Sequence, residues 1–422
     1  MNVRSIIKRN MMGICILSLV AAIASYRNAN AQASPEEGTI LPVTSPAIRF
    51  SPGNWSGDKG RGGNLYRQTW NSGAYFTCVW STTAPNSFIS ILFDNTGLAP
   101  AGNLSYSLDG SFTDDTPIPT TAPQGELTIP VYGAGKHTLI VYVRNTEQRD
   151  RWVNGGYGTN IVRISAIRLG PNSVPGQVPA MKKWIMILGD SITEGIMANN
   201  GMDSNIADYS HLIGEGLKAS MGWDYCISAC GFSGWLRPGD GSGDVPGYYR
   251  ITHSVNGEGG DYNPLSRWNK IDGSTSLLDS QGHISAYGSK NTEPAAILIN
   301  YITNEDLSSA NKSDTQASIT QALAALRKAA PKAWIFVLTP LGLHNTRIYP
   351  TGNIYANVLR KGYQGYKSAH PQDSKCILID FGVSVSNTLA SQLYGANVHP
   401  NVYGQAYMAA LISPRIMEYL EK

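Results

Sequence analysis

The chain has 422 residues, with 33 Lys and Arg against 30 Asp and Glu, a formal net charge of +3 and 42% hydrophobic residues. Arg4, Lys8, Arg9 and Arg27 fall in the first 31 residues and no acid does, so the remaining 391 carry −1 and offer no basic excess for nucleic acid. Beyond the N-terminus no stretch provides the roughly 20 consecutive apolar residues that a membrane span needs. A length of this size exceeds what one hydrophobic core serves, so two domains are expected.

The opening "MNVRSIIKRN", the apolar run Met11 to Ala24 and the small residues Ala29 to Ala31 read as an export signal over 1–31. The mature chain is then expected in the periplasm or outside the cell, and Cys15 lacks the context of a lipid-anchored cysteine. Residues 35–170 follow as short β-rich runs between turns, among them "AYFTCVW", "SFISILFD", "ELTIPVY" and "HTLIVYVRN". Such repetition predicts an antiparallel β-sandwich. Its Trp55, Trp70, Trp80 and Trp152 are read first as core, with a sugar-stacking face as the other use of exposed aromatics. "GPNSVPGQVPA" then changes the composition, and 171–181 is expected to be a linker.

From residue 182 to 422 the pattern becomes strand and helix in alternation. Candidate strands are 182–188, 224–229, 294–301, 333–340 and 375–381, and the clearest helices are 315–330 and 402–420. This predicts an α/β fold with a parallel sheet covered on both faces, and places chemistry just after the strands. Cys226 and Cys230 sit close enough for a disulfide in an oxidising compartment, or are buried free thiols; the spacing lacks a partner pair for zinc. No cofactor or metal is expected, and "GDGSGD" at 239–244 is read as a plain loop.

Four strand ends carry candidate chemistry. "GDSITEG" places Ser191 between a strand and a helix, either as a nucleophile or as the cap of an S-x-x-E capping box. "CGFSGW" brings Gly234 and Trp235, "NYITNED" brings Asn304, and "NVHPN" brings His399 ahead of the last helix. Nucleophile, base and two oxyanion donors make the inventory for acyl transfer through a covalent intermediate. The irregular stretch 236–293 is expected to border the site, with Trp268 as a wall residue. His253, His283 and His344 are read as loop residues, the last nearest the pocket.

In order and spacing, "GDSITEG", "GFSG", "TNED" and "VHPN" resemble the sequence blocks of the SGNH/GDSL hydrolase superfamily. The β-rich half resembles the jelly-roll domain of two-domain carbohydrate esterases of family two. The resemblance implies a flavodoxin-like three-layer α/β/α domain over 182–422. It implies Ser191 as nucleophile and oxyanion donor, Gly234 and Asn304 as further donors, and His399 as general base. Ile302 and Glu305 depart from a Gly-x-Asn-Asp block, and Ala396 stands where an Asp usually orients the histidine. A main-chain carbonyl is the first candidate for that task and Asp380 the second. The implied activity is removal of acetyl groups from a polysaccharide, with an exopolysaccharide such as cellulose as one substrate compatible with export. An O-acetyltransferase using the same residues and a non-catalytic polysaccharide-binding protein are the alternatives.

Overall fold

The computed structural model describes residues 38–57, 65–146, 161–237, 267–272, 275–286, 293–342, 345–349, 351–381, 385–395 and 398–421. The expected export signal, Trp152, His253, His344 and Ala396 lie outside these residues.

Up to Pro175 the described chain forms two antiparallel sheets. One holds Thr39–Pro42, Arg67–Thr69, Asn86–Asp94, Gln124–Tyr132 and Val162–Leu169; the other is built on Tyr75–Thr82, Asn103–Leu108 and Gly135–Asn145. Ile89, Ile91 and Phe93 of the first share a buried cluster with Phe76, Cys78 and Val141 of the second, so alternate residues of facing strands fill one core. Trp55, Trp70 and Trp80 are buried, which settles these three as interior residues rather than a sugar-stacking face. The expected linker is docked instead of free: Ser173–Pro175 pairs with Trp80–Thr82, and the Gly176 and Val178 N–H groups donate to Val79 and Pro46 carbonyls. A three-residue edge strand ending in proline carries no period that a pattern reading detects.

The second half is a five-stranded sheet, all parallel: β1 (Trp184–Gly189), β2 (Asp224–Ala229), β3 (Ala296–Asn300), β4 (Trp334–Leu338) and β5 (Cys376–Ile379), in the order 2-1-3-4-5. Every residue of β1, β2 and β3 is buried, as a sheet covered on both faces requires. The helices are α1 (Ser191–Glu194), α2 (Tyr209–Met221), α3 (Thr303–Leu307), α4 (Lys312–Ala329), α5 (Ile354–Ala369), α6 (Asn387–Leu393) and α7 (Val402–Leu420). Because the strand order reverses at β1, right-handed crossovers send α2 and α4 to opposite faces and open a crevice between the carboxyl ends of β1 and β3. Among the described residues no helix is long and apolar enough to cross a membrane.

The sandwich closes over β2, the edge strand. The Asn54 side chain donates to the Ile227 carbonyl at 2.8 Å, and Asp224 accepts from Tyr75 Oη at 2.7 Å and pairs with Arg49 at 3.1 Å. Tyr75 and Tyr142 belong to the core of the parallel sheet. Covering an edge this way removes a site where a foreign strand would pair. Cys78, Cys226, Cys230 and Cys376 are buried, and no disulfide joins Cys226 to Cys230.

Candidate active site

At the end of β1 the chain turns within two residues into α1. A side chain at Gly189 would collide with Thr193, so the tight turn needs glycine there. Asp190 is the N-cap, its carboxylate accepting the Ile192 N–H at 3.0 Å. Ser191 is therefore the first helical residue and not the cap, which leaves its hydroxyl for another partner. That partner is His399: Nε2 lies 2.8 Å from Ser191 Oγ, across 208 residues of sequence. Being first in the helix, the Ser191 N–H has no acceptor one turn earlier.

Pro400 and the cap Asn401 separate His399 from α7, and Asn401 accepts the Tyr403 and Gly404 N–H groups at 3.0 Å. One helical turn on, buried Gln405 donates to the Ile192 carbonyl at 3.3 Å and accepts from the Tyr209 N–H at 3.2 Å. This amide ties α7 to α1 and α2, so the serine and the histidine are held to one another by a bond that sequence reading did not foresee. Burial pushes the His399 imidazole down to about 4, while the nearby Glu194 carboxylate opposes that shift. At neutral pH the ring is uncharged, and Nε2 is free to accept the serine proton when Nδ1 carries the hydrogen.

The loop after β2 is fastened on several sides. Cys230 N–H donates to Gly189 O at 3.2 Å, Gly231 N–H to Glu194 Oε2 at 2.8 Å, and Asn304 Nδ2 to Ser233 O at 2.8 Å. Asn304 thus reaches the loop expected to line the oxyanion site. Gly234 does not present a free N–H: it donates to the Arg237 carbonyl at 3.2 Å. What requires glycine at 234 is space, since a Cβ there would stand 2.5 Å from Glu305 Oε2. Glu305 is fully buried, its other oxygen accepts the Leu236 N–H at 2.9 Å, and burial raises its pKa. Ile302, at the position where the resembled block has glycine, adopts φ 101°, a conformation that strains a β-branched residue.

Other expected residues are placed elsewhere. Asp380 follows β5, three strand spacings or roughly 14 Å from the end of β1. Its carboxylate is engaged by Arg360 at 2.6 and 3.1 Å and by Thr339 at 3.0 Å, so it serves an ion pair beside α5. Trp235 is buried against Tyr301, ring centroids 5.5 Å apart, and is a core residue rather than a sugar contact. Trp268 is buried beside Ala325 and Ala329 at the far end of α4. That helix runs back to the start of β4, so Trp268 sits at the opposite end of the sheet from Ser191 and does not wall the site. Two aromatics that sequence reading missed are exposed near the pair: Phe232, in the loop with φ 60°, and Tyr403, four residues after His399. Phe232 gave a signal, being a bulky residue between Gly231 and Gly234 in a turn.

A serine hydrogen-bonded to a histidine at the carboxyl end of a doubly wound sheet agrees with the family whose model matches residues 185–412, described as GDSL-like lipase/acylhydrolase. The match spans more than half of the sequence. The chain belongs to that family. It is accordingly a carboxylic-ester hydrolase, and among curated proteins none matches it. Solved structures extend the likeness to the sandwich. A family two carbohydrate esterase from Clostridium thermocellum, in complex with cellohexaose, superposes with TM-score 0.60 at 15% identity, covering 89% of this chain and 99% of that one. The acetyl xylan esterase Est2A from Butyrivibrio proteoclasticus gives TM-score 0.61 at 15% identity over 91% and 99% of the two chains. A salicylyl-acyltransferase from a tetracycline biosynthetic pathway gives 0.58 at 13% identity over 91% and 98%. The shared fold thus carries both hydrolysis and acyl transfer.

Proposed function

We propose that this GDSL-like hydrolase is an exported serine esterase that removes O-acyl groups, in the first place acetyl, from a bacterial polysaccharide or oligosaccharide. Ser191 Oγ attacks the ester carbonyl as its proton passes to His399 Nε2. The tetrahedral oxyanion is met by the Ser191 N–H and the Asn304 amide, and collapse expels the sugar alkoxide, which takes the proton back from His399. Water, deprotonated by the same nitrogen, then opens the acyl-enzyme and releases acetate.

The observation that carries the reading is the 2.8 Å hydrogen bond from Ser191 Oγ to a neutral, burial-depressed His399. Supporting a sugar substrate are the exposed faces of Phe232 and Tyr403, since a pyranose ring lays its apolar side on an aromatic plane. Export rests on the charge and hydropathy pattern of residues 1–31. The test is acetate release from an aryl acetate and from acetylated cello- and xylo-oligosaccharides. Ser191→Ala should abolish both by at least about 10³-fold. Release that survives the substitution defeats the reading. Acetylated product made only when an acceptor glycan is added would identify a transferase.

A further inference from the structure

Asp190 lies between Gly189, the last residue of β1, and Ser191, and its side chain has no exposed surface. Its Oδ1 accepts the Ile192 N–H at 3.0 Å, whereas the equally buried Oδ2 has no hydrogen-bond partner among the described residues. Capping a helix takes one oxygen, and a neutral Asn or Ser does it as well as an acid. A buried carboxylate with one oxygen unpaired costs much more than the buried acid, because burial penalises the charge first. Its surroundings do not offset that cost. The described ionisable groups packed around it are Glu194 of its own helix, Asp208 and Tyr209 at the start of α2, Glu305 of α3, Tyr349 after β4 and the neutral His399. Arg237, a cation beyond Glu305, donates to Ser308 on the surface. Burial outweighs the Ile192 N–H and the neighbouring Thr303 hydroxyl and raises the Asp190 carboxyl to about 7.

We infer that Asp190 is a positioning residue that works as an uncharged carboxylic acid: Oδ1 caps the nucleophile helix while Oδ2 keeps its proton, so that no negative charge stands behind the Ser191 N–H when the oxyanion forms. The inference rests on the serine esterase reading above. Asp190 supplies the carbonyl half of the peptide bond that carries the Ser191 N–H, so the carboxyl and the oxyanion are near neighbours in surroundings that screen charge poorly. Loss of the proton therefore raises the barrier, and the rate falls on the alkaline side. Stability follows the same sign. The unfolded carboxyl gives up its proton near its ordinary 3.8 and the folded one only near 7, so this group's contribution is lost as pH rises between the two.

Two substitutions separate the charge from the cap. Asp190→Asn keeps the capping oxygen and cannot ionise; Asp190→Ala removes the cap as well. Each is compared with wild type in Tm and in kcat/KM for an aryl acetate from about pH 5 to about pH 9, since kcat/KM reports groups of the free enzyme. Wild-type kcat/KM should fall above a midpoint near 7. At the acid end of the range Asp190→Asn should stay within about tenfold of wild type. It should show no alkaline fall and should gain Tm relative to wild type as pH rises. Asp190→Ala should be slower than Asp190→Asn throughout. Carboxyl-carbon NMR of the wild-type protein reads the Asp190 proton with no substitution, and should find the acid form at the acid end and the ionised form at the other. An ionised Asp190 at the acid end overturns the inference, as does an alkaline fall that survives in Asp190→Asn or an Asn variant as slow as the Ala variant. Failure of wild type to show Ser191-dependent hydrolysis would instead defeat the parent reading, and the NMR titration would still judge Asp190.

Discussion

Gly234→Ala tests how the loop after β2, beside Ser191, is held. The new methyl would lie 2.5 Å from Glu305 Oε2 and 2.6 Å from Cδ, well inside the roughly 3.3 Å at which carbon and oxygen normally meet. Glu305 is fully buried and holds the Leu236 N–H at 2.9 Å, so it has no open side to retreat to without breaking that bond. Overpacking of this kind costs about 1–3 kcal/mol and a lost hydrogen bond about 1 kcal/mol. The sum, about 2–4 kcal/mol, corresponds to a drop in Tm of about 5–10 °C for a unit of this size. Differential scanning fluorimetry of wild type, Gly234→Ala, Glu305→Asp and the double variant gives the answer. Withdrawing the carboxylate by one methylene should relieve the clash, so the double variant should be more stable than additivity predicts. A single-variant Tm within about 1 °C of wild type, or strict additivity, would refute the argument that packing against Glu305 is what demands glycine.

Asn304→Ala removes both the proposed oxyanion donor and the strut to Ser233, and should lower kcat on the order of 10²–10³-fold with a smaller change in KM. Because burial holds His399 down to about 4 against its ordinary 6.5, the acid limb of kcat/KM should lie well below pH 6.5. The sign for stability is the same: the unfolded histidine binds its proton at higher pH, so this group's contribution is lost as pH falls from about 6.5 toward 4. An acid limb at 6.5 in stopped-flow or pH-stat rates would contradict the buried, neutral ring. Asp380→Asn should leave turnover unchanged and cost at most about 1 kcal/mol, since its pairing with Arg360 is partly exposed. A large loss of kcat would return Asp380 to the site.

Where sequence and structure agree, the cause is local and strong. Residues 224–229 and 402–420 form the expected strand and helix at the expected ends, because the strand follows the Gly222 stop of the preceding helix and the last helix starts at its Asn401 cap, so each has a local end signal. Strand β1 starts at Trp184 rather than 182, as Lys182 and Lys183 are exposed and cannot join a sheet buried on both faces. That Ser191 and His399 stand together at the carboxyl edge of the sheet was legible from the chain order, whereas the roles expected of them came from the resemblance of the four blocks. What escaped depends on contacts between distant segments. Trp268 lies in a stretch without period, and only its packing on α4 shows which end of the sheet it occupies. Glu194 looked like half of a capping box, and its real partner, Gly231, is 37 residues away. Gln405 reads as an ordinary helical residue until α1 is seen beneath it.

The central claim is a covalent acyl-enzyme on Ser191 formed with His399 as base. Rapid acid quench of the wild-type protein during turnover of an aryl acetate, followed by peptide mass spectrometry, should find one acetyl group on the peptide carrying Ser191. His399→Ala should show neither the label nor the turnover at neutral pH. Sustained acetate release by wild type with no acyl group on Ser191, or equal labelling in His399→Ala, would contradict the account.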